Sequence, residues 1–388
     1  MINKDKLFAT IKDNIIVYWF YYHVMTLFVN VLKLFVVPDN KLILFVSYGG
    51  RYYNDSPRCI YEQMRCDERF AGFKLVWAFK NPDQYEDSIS KVKIDTFKYY
   101  LTALKARAWV TNVVIERGLD FTGKHAFYFH TTHGDLPKLT GYDAKDTMLV
   151  AKHFKYKFDY SIAQTEYDRQ LQTRMYGLRL EQIESCGFPK NDVLTKVTEE
   201  DVRSLRKKLG IPLDKKVILY APTFRGSITD TMDCGVDFKL WEEVLGNQYV
   251  VLYRAHPVMA SISKNDSSSG FVFDYSGYPD NNELMALSDI LISDYSGIFF
   301  EFGVLKREMF CFAYDYDEYI KTWALYFDIR DELPGGHLKE RELLEYIKNG
   351  NRKEIAGKLE AFSKKYINDS GKATKRCVDI IYEHINKQ

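Results

Sequence analysis

Three polar clusters each stand at or just past the end of a strand-like run, and their residue types suit proton transfer and anion binding. The first is His133-Gly134, with Lys138 further along, in the stretch FHTTHGDLPKLTGYD (129–143). An imidazole titrates close to neutral pH, so His133 is a candidate general base; a loop histidine that only bonds a backbone group has the same local sequence. The second is Arg254-Ala255-His256-Pro257, after the apolar run 249–253. Residues two apart leave a strand on the same side, so Arg254 and His256 can address one anion. The charge and planar fork of Arg254 match a phosphate, and a salt bridge at a strand end is the alternative. The third is Asp294-Tyr295-Ser296-Gly297, between an apolar run ending at Ser293 and a segment of helical period reaching Lys306. Ser296 and Gly297 are cap residues, and the free N–H groups and dipole of a helix start favour phosphate. An ordinary N-capped helix reads the same way.

The elements that must carry these clusters alternate along the chain. Strand-like runs are predicted at 41–48, 73–79, 108–114, 126–131, 160–165, 216–220, 249–253, 290–293 and 309–313, with helical patterns between them, including 59–69, 199–209 and one from Phe238. Alternation of this kind indicates an α/β fold, parallel sheets with helices on both faces, and the carboxyl edge of such a sheet is where ligands bind. Gly49-Gly50 after the first strand lacks the spacing of a dinucleotide fingerprint. Gly187 and Pro189 punctuate the stretch ESCGFPKND (184–192), which places the domain junction there: 39–186 as an N-terminal and 187–388 as a C-terminal domain that includes the last helices. At roughly 100–200 residues per domain, 388 residues suit two domains, and 46% hydrophobic residues supply two cores.

The charge balance, 54 basic against 53 acidic residues, provides no global field for nucleic acid, so none is expected as a partner and any anion site is local. Six scattered cysteines without CxxC spacing read as reduced thiols of a cytosolic protein. His125, His130 and His153 lack carboxylates at ligand spacing, so no metal site is expected. Residues 14–37 could cross a bilayer by length, at about 1.5 Å per residue against roughly 30 Å. Yet His23, Thr26, Asn30 and Lys33 form one polar stripe, which favours an amphipathic helix in the membrane interface over a helix docked on its own domain or a true span. Lys4, Lys6 and Lys12 would then lie near anionic headgroups, and residues 1–38 would form a membrane-associating segment. No small-residue cleavage site of a secretory signal follows.

Taken in order, HGDLPK (133–138), GFPKND (187–192), YAPTFRG (220–226), RAHP (254–257) and SDYSGIFFEFGVLK (293–306) resemble the CDP-glycerol glycerophosphotransferases of teichoic acid and related polymer synthesis. SYGGRYYNDSPRCIYEQM (47–64) and FAYDYDEY with LYFD and LPGG extend the resemblance over about 41–344. It implies a GT-B fold, two Rossmann-like domains facing a cleft, the first for the acceptor and the second for the donor. The implied reaction is attack of an acceptor hydroxyl on the β-phosphorus of CDP-glycerol, transfer of glycerol phosphate and release of CMP. The acceptor would be an undecaprenyl-linked or polymeric glycan of teichoic acid or capsule type. The enzyme would be peripheral and monotopic at the cytoplasmic face of the cell membrane, drawn to its anionic surface.

By the same resemblance His133 and His256 are the catalytic pair. Arg254, Ser296, Asp294, Gly297, Glu301, Thr223 and Arg225 are donor contacts, and Gly134, Asp135 and Lys138 lie on the acceptor side. No cofactor is implied, and without an Asp-x-Asp pair no divalent metal is required by the sequence. Asp135-Leu136-Pro137 departs from the family's usual Thr-Pro-Leu interior. Gly297 stands for a frequent serine, Glu301 for a common aspartate and Trp323-Ala324 for Arg-Gly. The departure at 135–137 bears on acceptor handling and that at 323–324 removes a basic group, while those at Gly297 and Glu301 leave CDP-ribitol as an alternative donor; a nucleotide-sugar glycosyltransferase shares the fold. The small amount of chain outside the two domains favours a primase or a compact module.

Overall fold

The computed structural model describes residues 14–116, 119, 121, 125–134, 136–144, 155–223, 235–255, 270–333 and 339–387. They fall into two compact units: Met1–His133, Gly141–Lys190 and Lys372–Gln388 in the first, Gly134–Thr140 and Asn191–Gly371 in the second. The sequence cut at 186/187 is therefore moved and supplemented. One short segment of the N-terminal half belongs to the second unit, and the last helix belongs to the first.

The first unit is built on a parallel sheet of β1 (Asp39–Val46), β2 (Lys74–Phe79), β3 (Lys91–Lys93), β4 (Ala106–Thr111), β5 (Phe127–His130), β6 (Tyr160–Ala163) and β7 (Ile183–Ser185). The strand order is β3-β2-β1-β4-β5-β6-β7, so Ile43 of β1 lies between Leu75 of β2 and Ala108 of β4. Order reverses between β1 and β4, the switch point at which an open sheet parts its connecting loops. Burial on both faces explains the near-continuous apolar strands. On one face Ile43, Phe45, Trp77, Val110 and Phe129 pack with Ile60, Tyr61 and Met64 of α2 (Asp55–Arg65), a spacing that places all three on one helix stripe.

The C-terminal helix α13 (Ala373–Asn386) completes that face with Cys377, Val378, Ile380, Ile381 and Ile385. Burying each valine or isoleucine contributes about 1.5–3 kcal/mol. Its end is fixed by buried Arg107 of β4, whose guanidinium donates to the Ile385 carbonyl at 2.9 and 3.1 Å and to the His125 carbonyl at 2.7 Å. A cation meeting the orphan carbonyls of a helix C-terminus is favourable twice, by hydrogen bond and by dipole. This is why the last helix leaves its neighbours in sequence.

The second unit repeats the scheme with β8 (Lys216–Tyr220), β9 (Tyr249–Tyr253), β10 (Val272–Asp274), β11 (Ile290–Ser293) and β12 (Glu308–Cys311), all parallel, in the order β10-β9-β8-β11-β12. Its switch point lies between β8 and β11. Ile218, Val251, Ile292 and Phe310 pack with Phe238 and Trp241 of α6 (Phe238–Leu245) and Leu343, Leu344 and Ile347 of α11 (Glu340–Asn349). Arg206 and Arg307 hold the end of α7 (Asn281–Leu287): Arg206 donates to the Leu287 carbonyl at 3.0 Å, Arg307 to those of Ala286 and Ser288 at 2.6 Å.

The helical segment expected up to Lys306 is shorter: α8 spans Ile298–Phe302, and a 3-10 turn follows over Gly303–Leu305. Lys306 at φ 54° ends it, and a Cβ on Gly303 would stand 2.7 Å from the Ile367 side chain. The edge strands β3, β7 and β10, three residues each, were not expected.

Helix α1 (Ile15–Phe35) is capped by Asn14, whose Oδ1 accepts from Ile16 N at 3.0 Å. Tyr18 and Val29 are buried on one side, and the Phe28 ring meets Phe97 of α3 (Phe97–Lys105) at 6.4 Å. Ile16, Phe20, Leu27 and Leu34 on the opposite side are between 65% and 78% exposed. His23 and Asn30 of the polar stripe are exposed, Thr26 and Lys33 half-buried. Among the described residues no helix is long and apolar enough to cross a membrane.

Just beyond β4, Glu116 is buried, and its Oε2 accepts from Tyr128 Oη at 2.9 Å and Ile115 N at 3.0 Å. Burial outweighs those bonds and pushes its carboxyl up to about 7. A carboxyl raised on folding contributes most to stability below its unfolded value, and the contribution is lost as pH rises through the folded one; a shift of this size corresponds to about 3 kcal/mol. Glu116→Gln is therefore expected to raise the melting temperature at pH 8 and to change it little at pH 4.5. Thermal denaturation of both proteins across that range checks this.

Candidate functional site

In the first unit the carboxyl ends of β1, β4 and β5 bring three polar side chains together, those of Tyr48, Asn112 and His133. After β1 the chain turns through Tyr48, Gly49 and Gly50, with φ of 45°, 63° and 82°. A Cβ at Gly50 would lie 3.1 Å from Lys80 N and 3.2 Å from Ala78 O, so both the backbone and the space require glycine. Tyr48 N donates to Asn112 Oδ1 at 2.8 Å, which ties the loop after β1 to the residue after β4 across the switch point. His133 follows β5, exposed, with its Nδ1 3.3 Å from the Asn112 carbonyl oxygen and its ring edge-on to Tyr48, centroids 6.0 Å apart.

Two more charged groups reach this place from elsewhere in the unit. Asp55 opens α2 at φ 62°, and its Oδ2 accepts from Tyr48 Oη at 2.9 Å. Lys190, after β7, has its ammonium 3.4 Å from that oxygen and 3.0 Å from the His133 carbonyl, to which it donates. The side chains of Lys190 and Asp55 are only 8% and 5% exposed. Tyr48, Asp55, Asn112 and Lys190 received no role from the sequence, although SYGG, NDSPR and PKND stood out as motifs. What was missing was the left-handed backbone that turns them toward one another.

The segment after His133 belongs to the second unit. Leu139 N donates to Ala324 O at 3.0 Å and Tyr326 N to Pro137 O at 2.9 Å, around an antiparallel bridge of Lys138 with Leu325. The Lys138 ammonium stands 5.7 Å from the ring centroids of Tyr319 and Trp323. Gly297 approaches the same segment so closely that a Cβ would lie 3.2 Å from the Leu136 oxygen and 3.5 Å from that of Gly134. Gly134 and Leu136 thus lie against Gly297 within the second unit, while His133 belongs to the first. Asp135 lies outside the described residues.

At the second switch point Ser293 Oγ donates to Ala221 O at 2.6 Å. Buried Asp294 accepts at Oδ1 from Thr223 N at 2.9 Å and Tyr295 N at 2.7 Å. Asp294 therefore fixes the two strand-end loops to each other. Gly297 is the N-cap of α8 and offers no side chain, while Ser296, one residue before it, accepts at Oγ from Ile298 N at 3.3 Å. Arg254, after β9, donates through one terminal nitrogen to the carbonyls of Tyr278 at 2.7 Å and Tyr275 at 3.2 Å. Burial lowers its pKa, while Asp280 and Glu301 oppose the shift. A guanidinium has five N–H donors, so these two bonds orient it without exhausting it. His256 and Arg225 lie outside the described residues. Among those described, no group of three His, Cys, Asp or Glu residues could hold a metal ion.

Similar proteins give this arrangement its context. The chain is 33% identical over 374 residues to the teichoic acid poly(glycerol phosphate) polymerase of Staphylococcus epidermidis, covering 90% of this chain and 51% of that one. It is 34% identical over 331 residues to that of Bacillus subtilis, covering 79% and 44%. The chain thus spans about half the length of these curated polymerases. The teichoic acid glycerol-phosphate transferase of Staphylococcus aureus is 28% identical over 374 residues, which cover 89% of this chain and 94% of the relative. Among solved structures the wall teichoic acid polymerase TagF is 31% identical, superposes with a TM-score of 0.81 and covers 90% of each chain, and a variant of it has been soaked with CDPG. The two Rossmann-like units are thus those of a GT-B-like fold. The family model CDP-glycerol:poly(glycerophosphate) glycerophosphotransferase matches residues 28–383, and the chain belongs to that family.

Proposed function

We propose that the chain transfers glycerol phosphate from CDP-glycerol to a hydroxyl of a teichoic-acid-type glycan and releases CMP. The family match over residues 28–383 carries this reading, and the geometry around His133 supports it. A carbonyl oxygen only accepts, so the contact with Asn112 O calls for a proton on His133 Nδ1 and leaves the lone pair on Nε2. Nε2 takes the proton of the attacking hydroxyl as its oxygen bonds to the β-phosphorus, and the bond from that phosphorus to the CMP oxygen breaks. The transfer needs negative charge stabilised on the phosphates more than it needs covalent help. Arg254 and His256 serve that purpose, with Thr223, Arg225, Ser296, Gly297 and Glu301 around the donor. Gly134, Asp135 and Lys138 are assigned to the acceptor, an undecaprenyl-linked or polymeric glycan.

His133→Ala is expected to lower CMP release by about 100- to 10,000-fold with an unchanged circular dichroism spectrum. Near wild-type release would remove His133 from the reaction. Titration calorimetry with CDP-glycerol, CDP-ribitol and UDP-N-acetylglucosamine identifies the donor, and CDP-glycerol is expected to bind tightest. Arg254→Lys should weaken it roughly tenfold, since the planar fork is lost while the charge is kept.

The placement proposed for α1 is the membrane interface, with the enzyme peripheral at the cytoplasmic face. Tyr18 and Val29 hold one side of the helix on the first unit, so Ile16, Phe20, Leu27 and Leu34 form an outward apolar row without charge among them. Burying such a row in the acyl boundary beside anionic headgroups is favourable, and Lys4, Lys6 and Lys12 add screened attraction. Phe20→Glu with Leu27→Glu should abolish co-sedimentation with phosphatidylglycerol vesicles and leave calorimetric donor binding intact. Equal sedimentation of the variant would place the lipid contact elsewhere.

A further inference from the structure

We infer that Tyr48, Asp55 and Lys190 are positioning residues that hold His133 in the Nδ1–H tautomer, with Nε2 directed to accept a proton; this rests on the reading of His133 as the base. The five residues close a ring of contacts. His133 Nδ1 meets Asn112 O, Asn112 Oδ1 accepts from Tyr48 N, Tyr48 Oη donates to Asp55, Asp55 pairs with Lys190, and Lys190 donates to the His133 carbonyl. Each member comes from a different part of the first unit: the loop after β1, the start of α2, and the loops after β4, β5 and β7. The histidine is thereby gripped at both ends, its backbone by Lys190 and its ring by the Asn112 carbonyl and the Tyr48 face.

Two observations argue against an incidental ion pair. Five described residues other than glycine have positive φ, and three of them, Tyr48, Asp55 and Thr132, lie in this ring or adjoin His133. Left-handed backbone is unfavourable for such residues and persists where the surroundings over-determine it. The Lys190–Asp55 pair is also nearly excluded from water, where desolvation opposes the attraction, so stability alone is a weak reason for it. Holding a carbonyl and a tyrosyl hydroxyl in register is a use for both charges. A free neutral imidazole favours the Nε2–H tautomer, so the arrangement reverses an intrinsic preference.

The test is nitrogen-15 NMR of the histidine-labelled full chain at pH 8, with the His133 signals assigned by their absence in His133→Gln. The wild type is expected to show a protonated Nδ1 and an unprotonated Nε2; Lys190→Met and Tyr48→Phe should drift toward a mixture. CMP release from CDP-glycerol should fall about ten- to a hundredfold in both variants with the donor KM unchanged, the scale of a small misplacement of a reacting group, and Lys190→Arg should restore it. Should Lys190→Met fail to fold, Tyr48→Phe, which loses only a hydroxyl, decides the matter. An Nε2–H tautomer in the wild type, or an unaltered tautomer in the variants, overturns the inference. Tautomers as expected with no CMP release by the wild type would keep the positioning and overturn the reaction.

Discussion

Every strand of a parallel sheet ends on the same edge, and this constraint governs both units. Helices must return each strand to the same starting edge, so the opposite edge collects only loops, and at the switch point two of these loops diverge. The backbone there has lost its ladder partners and must be satisfied by side chains. In the first unit Asn112 meets that need by accepting from Tyr48 N, and in the second Asp294 does so by accepting from Thr223 N. The two short polar side chains, each just past the strand after the reversal, are equivalent solutions to one problem. What the loops carry beyond them differs: an imidazole beside Asn112 in the first unit, a guanidinium on the next loop in the second.

Buried arginines act on the architecture in the same way. Arg107, Arg206 and Arg307 meet backbone carbonyls at helix ends. Burial lowers the pKa of Arg107 and of Arg307, but a guanidinium remains charged far beyond any physiological pH, so these two anchors do not titrate away. A lysine at such a site would be neutralised more readily and would offer fewer fixed donors.

The alternation of strands and helices was legible because long apolar runs between turn residues carry most of the signal, and the loops after them could be named as the functional edge. Residue type and position alone single out His133, Arg254 and Ser296 as candidates on that edge. The three-residue strands could not be found in that way, since their pairing depends on neighbours distant in sequence. Lys190 and Asp55 were invisible as a pair for the same reason: each reads as an ordinary charged residue until the fold removes both from water. The early end of α8 was hidden in Gly303, whose packing against Ile367 depends on a helix far along the chain. The crossing of residues 134–140 to the second unit was equally illegible, because the pairing of Leu139 with Ala324 leaves no periodic trace.

The docking of α13 on the first unit also bears on how the protein emerges from the ribosome. Residues 373–386 fill the face of a sheet whose last strand, β7, has been made long before them, and the entire second unit is synthesised in between. Until they arrive, Ile43, Phe45 and Phe129 have an incomplete cover and Arg107 lacks the Ile385 carbonyl, one of its partners alongside that of His125. Domains generally fold in the order of synthesis. Here the second unit has all of its strands before the first can close its core, so vectorial synthesis leaves the N-terminal sheet exposed to chaperones and to wrong partners until the final helix is delivered.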